Sequence, residues 1–273
     1  MALAVAALAA CEKSVPYEPG APMNLDNPNV YFSAYNSTKT VLASDATEFE
    51  VAILRDDVET ALTLPLKGAC PYEGIFTVPE TVEFAAGVDS VSFKVQVSDK
   101  IEMFKDYQLY ISIPEEYTHA YLPSETTGPR FIANVVKEDY VPYAEGGWFD
   151  FFFTGQGWNV VLEYSAMKKE YRLCDVWAPL GTGSTTDITF SWDGSEKVTM
   201  GANSYPTGVP YSSYGPVTAA VVAGCATYGN IPADELYKGS PALPGFTFDF
   251  KWTVSAGSFG QDYPQIYAIT KVL

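Results

Sequence analysis

The chain has 273 residues, 47% of them hydrophobic and 15% aromatic, with 33 Asp and Glu against 16 Lys and Arg, for a net charge of −17. That length and apolar content suit one large or two ordinary domains with sizeable cores. The acidity, with a pI near 4.3, argues against nucleic acid or an anionic membrane surface as a partner, since both demand basic patches.

Abundant Tyr (19), Phe (16) and Gly (21) favour strands and turns over helices. The chain opens on an apolar run, residues 2–10, that ends at Cys11. It is too short to span a bilayer, which takes about 20 residues, and has the small residues of a signal-peptide cleavage region. No Lys or Arg precedes it, so it reads as half a signal. Leu8-Ala9-Ala10-Cys11 resembles the lipobox of bacterial lipoproteins. The resemblance implies removal of residues 1–10, acylation of Cys11, and a lipid-anchored place at the outer membrane or cell surface. Each buried CH₂ of such an anchor contributes about 0.8 kcal/mol, so more than one chain holds stably. Residues 11–28 then form a Pro-rich tether with neither helical nor strand pattern.

From Val30 the pattern has a period of two. Phe49, Val51 and Ile53 alternate with Glu50, Ala52 and Leu54, Val91, Phe93, Val95 and Val97 with Ser92, Lys94 and Gln96, and Tyr107, Leu109, Ile111 and Ile113 with Gln108, Tyr110 and Ser112. Leu62, Leu64 and Leu66 alternate around Pro65, which predicts an edge strand. Val82 and Phe84 form a short run, and Arg130 to Val136 supplies a last strand. About seven short strands without helical period predict a β-sandwich over residues 29–138. Val30-Tyr-Phe-Ser33, Phe49 to Arg55 and Ile75 to Gly87 resemble the Calx-beta-like, immunoglobulin-type domain of Bacteroidetes surface lipoproteins. Calx-beta domains of exchangers bind calcium through acidic loops. Asp56-Asp57 and Glu115-Glu116 do not align to that cluster, so no calcium site is carried over and the domain reads as a spacer.

Glu138 to Gly147 has the composition of a linker, and all five Trp follow it. Trp158, Val160, Leu162 and Tyr164 share a face, as do Ile188, Phe190 and Trp192; Phe246, Phe248, Phe250, Trp252 and Val254 give the cleanest alternation of all. Residues 139–273 therefore predict a second, Trp-rich antiparallel β-domain. Tyr171-Arg-Leu173, Phe190 to Gly194 and Val254 to Gly260 resemble C-terminal domains of the same lipoprotein group. The fold expected overall is all-β, two antiparallel β-sandwich domains in tandem after a lipidated tether. Gly201 to Pro216 and Tyr228 to Gly245 carry weak strand signal, and loops of that length are often functional.

The chemistry of a catalyst is thin. His119 is the only histidine, and no HExxH, G-x-S-x-G, Walker A, GxGxxG or EF-hand pattern occurs. Asp150, Glu163, Asp175, Asp193 and Asp249 are candidates by position for the acid pair of a glycosidase, but acidic residues this plentiful mostly solvate a surface. No catalytic residue, cofactor or metal is assigned. Cys70, Cys174 and Cys225 are far apart without CxxC spacing, against a zinc site. Cys174 and Cys225 fall in one half and could pair in an oxidising compartment; the simpler account is three buried thiols. Asn36-Ser-Thr38 matches the N-glycosylation pattern, and Asp89-Ser-Val91 resembles a short O-glycosylation motif of Bacteroidetes.

The stronger signal is aromatic. Sugar rings pack apolar faces on Trp and Tyr while neighbouring polar groups bind hydroxyls. Tyr205, Tyr211 and Tyr214 with Asn203, and Trp177 beside a loop, are the candidate ligand-binding residues, plain core packing being the alternative for each. The expected function is non-enzymatic capture of an extracellular glycan by the C-terminal domain, beside an outer-membrane uptake partner. A structural or adhesion protein, or a glycosidase, are the rivals.

Overall fold

The computed structural model describes residues 27–119, 128–232, 241–260 and 263–273. The lipobox, Cys11 and nearly all of the tether lie outside the described residues. Within them the chain is all-β: strands, three single-turn 3₁₀ segments and no α-helix. It divides into two compact units. One takes residues up to Lys39, Thr47–Lys100 and Tyr107–Asn134; the other takes Thr40–Ala46, Ile101–Asp106 and Val135–Leu273.

In the order of the chain, the first strands are β1 (Val30–Phe32), β2 (Lys39–Ala43), β3 (Glu48–Arg55), β4 (Leu62–Pro65), β5 (Lys67–Ala69), β6 (Phe76–Thr77), β7 (Thr81–Phe84), β8 (Ser90–Val97), β9 (Tyr107–Ser112) and β10 (Arg130–Glu138). β2 and β10 give residues to both units. In the first unit β1-β3-β8-β6 form one sheet, β4-β7 a two-stranded one, and β5 pairs antiparallel with β9. The expected alternation is realised on β8, where Phe93, Val95 and Val97 are buried and Ser92, Lys94 and Gln96 exposed. Pro65 ends β4 in a two-stranded sheet, the edge position that a residue without an N–H requires.

Two polar side chains tie this unit together. Arg55 occupies a buried position of β3, and its guanidinium donates to the carbonyls of Val88, Thr60 and Ala85 at 2.9, 2.7 and 2.8 Å. The side-chain amide of Asn36 donates to the Ala52 carbonyl and accepts from the Ala52 N–H, both at 2.8 Å. The Asn of the glycosylation pattern is thus committed to β3.

The second unit continues with β11 (Tyr140–Asp150), β12 (Gln156–Ser165), β13 (Glu170–Leu173), β14 (Ile188–Trp192), β15 (Val198–Met200), β16 (Ser204–Pro210), β17 (Pro216–Ala220), β18 (Ala226–Ile231), β19 (Leu243–Phe248), β20 (Lys251–Val254), β21 (Gly257–Ser258) and β22 (Gln265–Val272). Eight of these make one antiparallel sheet, ordered β15-β14-β13-β12-β11-β22-β19-β18. Its two edges nearly meet: Lys197 and Thr227 form a β-bridge, and the Tyr228 N–H donates to the Glu196 carbonyl at 2.8 Å. The expected sandwich therefore curls toward a barrel. Eight strands leave an interior that side chains can fill, and Trp148, Leu162, Leu173, Phe190, Phe246 and Tyr267 fill it with no exposure. A second sheet, β16-β17-β20-β21, completes the unit.

Three sequence readings change here. Glu138 to Gly147 is no linker, because most of it is β11, the strand that pairs with both β12 and β22. Its glycines serve close packing: a Cβ on Gly146 would lie 2.4 Å from the Ala268 carbonyl oxygen and 2.6 Å from the Tyr267 ring. Phe246 to Val254 is not one strand. The chain leaves the large sheet after Phe248 and enters the smaller one at Lys251, while Phe246, Phe248, Phe250 and Trp252 all stay in the core. Gly201 to Pro216 is not a long loop either, since Ser204–Pro210 is β16, paired with β17 across a bulge.

Candidate functional site

The second unit carries two neighbouring clefts. The first, about 700 Å³, is lined along β18 by Thr227, Tyr228 and Asn230, along β19 by Thr247, and at its rim by Glu196 and Asp249. The strand period builds it: the alternation that buries Phe246 and Phe248 turns Thr247 and Asp249 outward. Ile231 and Ile266, buried with Phe149 and Phe151 packed against them, form its apolar floor. The second cleft, about 570 Å³, is lined by Phe152, Phe153, Val209, Tyr211, Val217 and Phe259 among others. Phe151 and Tyr263 line both. Volumes of this size are those of small-molecule sites.

A single turn sets the wall between the clefts. Asp150 is fully buried, and its carboxylate accepts the N–H groups of Phe152, Phe153 and Thr154 and the Thr154 hydroxyl at 3.0–3.3 Å. An Asx-type turn of this kind fixes the backbone locally. It stacks Phe152 on Trp252, with ring centroids 4.2 Å apart and planes 7° from parallel, and leaves Phe151 at the junction. Tyr263 meets Phe152 at 5.6 Å and is itself exposed.

The residues expected to bind separate into two groups. Tyr211 and Tyr214 are both 47% exposed and stack on each other at 6.3 Å. Tyr211 lines the second cleft and packs its ring against the edge of Phe259 at 5.0 Å. Asn203 is exposed but lines neither cleft. Trp177 and Tyr205 are corrections. Trp177 is fully buried, edge-on to Trp148 at 6.2 Å and to Trp252 at 6.4 Å. Tyr205 is 3% exposed and donates its hydroxyl to the Thr189 carbonyl at 2.7 Å. Both are core residues: Trp177 ends the turn of residues 174–177 after β13 with its side chain buried, and Tyr205 faces inward from β16.

The carboxylates singled out by position disperse in the same way. Asp150 is a structural acceptor, Glu163 pairs with Arg172, and Asp193 accepts the Ser195 N–H at 3.0 Å. Asp175 lies exposed, and only Asp249 lines a cleft. Its companion there, Glu196, carried no sequence signal. The run Phe151 to Phe153 did: three aromatics between an Asp and Thr-Gly mark an Asx turn presenting apolar groups. No group of three or more His, Cys, Asp or Glu able to hold a metal occurs among the described residues.

Cys174 and Cys225 are free thiols. Going from β13 to β18 across the closing edge crosses β14 and β15, three strand spacings or on the order of 14 Å, whereas a disulfide needs Cα atoms within about 7 Å. Cys174 donates to a Glu163 carboxylate oxygen at 3.2 Å. Burial, with the Asp187 carboxylate adding to it, pushes its thiol far above the usual value, and burial raises Cys225 too. At pH 9, where an ordinary cysteine is largely thiolate, Cys174, its thiol held far above the usual range by burial, remains a thiol. Iodoacetamide should therefore alkylate Cys174 at least tenfold faster in denaturant than in the folded protein at that pH. Equal rates, or a mass 2 Da low from an oxidised pair, would contradict this.

With this geometry in hand, solved structures offer distant likenesses. The chain is similar to the apo-form Calx CBD1 domain over 41% of its own length and 97% of that chain, at 20% identity and a TM-score of 0.31. It is similar to a multidomain protein including DUF1735 from Bacteroides ovatus over 89% of its length and 93% of that chain, at 10% identity and a TM-score of 0.33. A protein of unknown function from Bacteroides ovatus matches over 89% and 90%, at 8% identity and a TM-score of 0.32. No family model and no curated protein matches.

Proposed function

We propose that this protein is a non-enzymatic, lipid-anchored protein of the outer membrane or cell surface that captures extracellular glycan in the clefts of its second unit. One observation carries the reading: two adjoining clefts combine exposed aromatic rings, Tyr211 and Tyr263, with the hydrogen-bonding side chains Thr227, Asn230 and Thr247. Apolar rings with a few convergent polar groups are what a sugar needs, CH faces packing on the one and hydroxyls bonding to the other. The lipid anchor rests on Leu8 to Cys11, and the first unit serves as a spacer.

A glycan array probed with the wild type and with Tyr211→Ala tests the site. Binding of at least one glycan family is expected, weakened by the substitution about tenfold, the 1.4 kcal/mol scale of one lost stacking contact. Absence of binding to every sugar would sink the reading. In cells, a palmitate analogue should label the wild type and not Cys11→Ser. A second reading has its own support: Tyr211 and Tyr214, exposed and stacked, would suit a protein partner, as an adhesion protein requires. Glu196 and Asp249 line one cleft, so release of reducing sugar by the wild type would instead mark a glycosidase.

A further inference from the structure

Resting on the glycan-binding reading, we propose that the second cleft takes an aromatic group carried by the glycan, an aryl ester or aryl glycoside, while the attached sugar sits in the first. The walls of the second cleft are rings: Phe151, Phe152, Phe153, Tyr211, Phe259 and Tyr263 line it. They pack on one another edge to face. Phe152 meets Phe153 at 4.8 Å, Phe259 at 5.1 Å and Tyr263 at 5.6 Å, and Phe259 meets Tyr211 at 5.0 Å, with planes 65–84° apart. Centroid separations of about 4.5–7 Å in this arrangement are what the quadrupoles of aromatic rings favour. A guest aromatic ring extends the array. A sugar ring, with hydroxyls around its rim, does not.

The polar groups along the same wall are already engaged. The N–H groups of Phe152, Phe153 and Thr154 donate to the Asp150 carboxylate, and the Thr154 hydroxyl donates to Asp150 and accepts the Gln156 N–H, all at 3.0–3.3 Å. The hydrogen bonds that sugar hydroxyls need therefore fall to the first cleft, with Thr227, Asn230 and Thr247. Phe151 and Tyr263 line both clefts, so a ring attached directly to the sugar passes from one to the other.

The aromatic wall is also formed in advance. The Asp150 turn fixes the backbone of Phe152 and Phe153, and the stack of Phe152 on buried Trp252 fixes its ring. A wall held this way orders little on binding, which favours a rigid, flat guest.

The test is a ligand-observed NMR titration of the full chain with the methyl, cyclohexyl and phenyl β-glycosides of glucose, xylose, galactose and mannose. For the sugar that binds best, the phenyl glycoside should bind about tenfold tighter than the methyl one, through the apolar surface it buries. It should bind about threefold tighter than the cyclohexyl one, which is similar in size but has no quadrupole. Saturation transfer should be strongest at the aryl protons. Tyr211→Phe should keep both gains, because the ring and not the hydroxyl supplies them, and Tyr211→Ala should bring phenyl and cyclohexyl glycosides level. Equal affinity for phenyl and methyl glycosides, a cyclohexyl glycoside as tight as the phenyl one, loss of the gains in Tyr211→Phe, or no binding of any glycoside overturns this proposal; binding on the glycan array then leaves glycan capture standing. No binding of any glycoside together with a blank array overturns both.

Discussion

Replacing Arg172 by Met should lower the stability of the second unit by about 3 kcal/mol, the usual cost of removing one partner from a buried ion pair. Arg172 lies on β13 opposite Glu163 on β12. Its Nε and Nη2 both donate to one Glu163 oxygen, at 2.9 and 2.7 Å, and its Nη1 donates to Glu138 at 2.5 Å. The Asp187 carboxylate stands 3.7 Å away, and the guanidinium lies 3.7 Å above the Tyr140 ring. The side chains of Arg172, Glu138 and Glu163 are only 13%, 17% and 23% exposed. Methionine keeps the bulk and strands two or three carboxylates beside one another. Because stranded charge is the cause, adding Glu138→Gln and Glu163→Gln to Arg172→Met should recover part of the loss. Urea unfolding followed by Trp fluorescence reads the second unit, since all five Trp lie there. An Arg172→Met midpoint within 0.5 kcal/mol of wild type, or a triple variant weaker than the single one, would refute this account.

Gly146→Val should cost at least as much, about 3 kcal/mol or more, through overpacking against backbone that cannot move aside. Gly146 on β11 and Gly245 on β19 flank β22. A Cβ on Gly146 would come 2.4 Å from the Ala268 carbonyl oxygen, and one on Gly245 would come 2.3 Å from the Tyr267 carbonyl oxygen. Tyr267 is fully buried, and its hydroxyl donates within reach of the Ala144 and Val160 carbonyls at 3.2 and 3.1 Å. The glycine is what lets that ring lie across β11. For a unit of this size the loss corresponds to roughly 6–12 °C in Tm. Gly229→Ala is the control: its Cβ would meet nothing within 4 Å, so a change within about 0.5 kcal/mol is expected. Equal melting temperatures for Gly146→Val and the wild type would contradict the packing described.

What the sequence disclosed, and what it did not, follows from the range of each interaction. Alternation is local, so β3, β8, β9 and β12 were legible residue by residue, and so was the all-β class. The sheet a strand joins is not local. Phe246 to Val254 keeps one inward face while changing sheets, and alternation alone does not mark that break. Gly146-Gly147 reads as a turn unless the Tyr267 ring opposite is known. For the site, exposure decided the outcome. Tyr211 and Tyr214 stay half exposed on a turn, but Trp177 and Tyr205, the same residue types in similar surroundings, point into the core. Glu196 reaches the cleft only because the sheet edges β15 and β18 nearly meet, a closure set by strand order.

The most direct measurement is the calorimetric affinity of the full chain for its best array glycan, compared among wild type, Tyr263→Ala and Tyr35→Ala. Tyr263 stands at the junction of the two clefts, while Tyr35 is 99% exposed in the first unit and lines neither. Glycan capture in the second unit predicts that Tyr263→Ala weakens binding about tenfold or more and that Tyr35→Ala binds as the wild type does. Wild-type affinity in Tyr263→Ala, or loss of affinity in Tyr35→Ala, would contradict it.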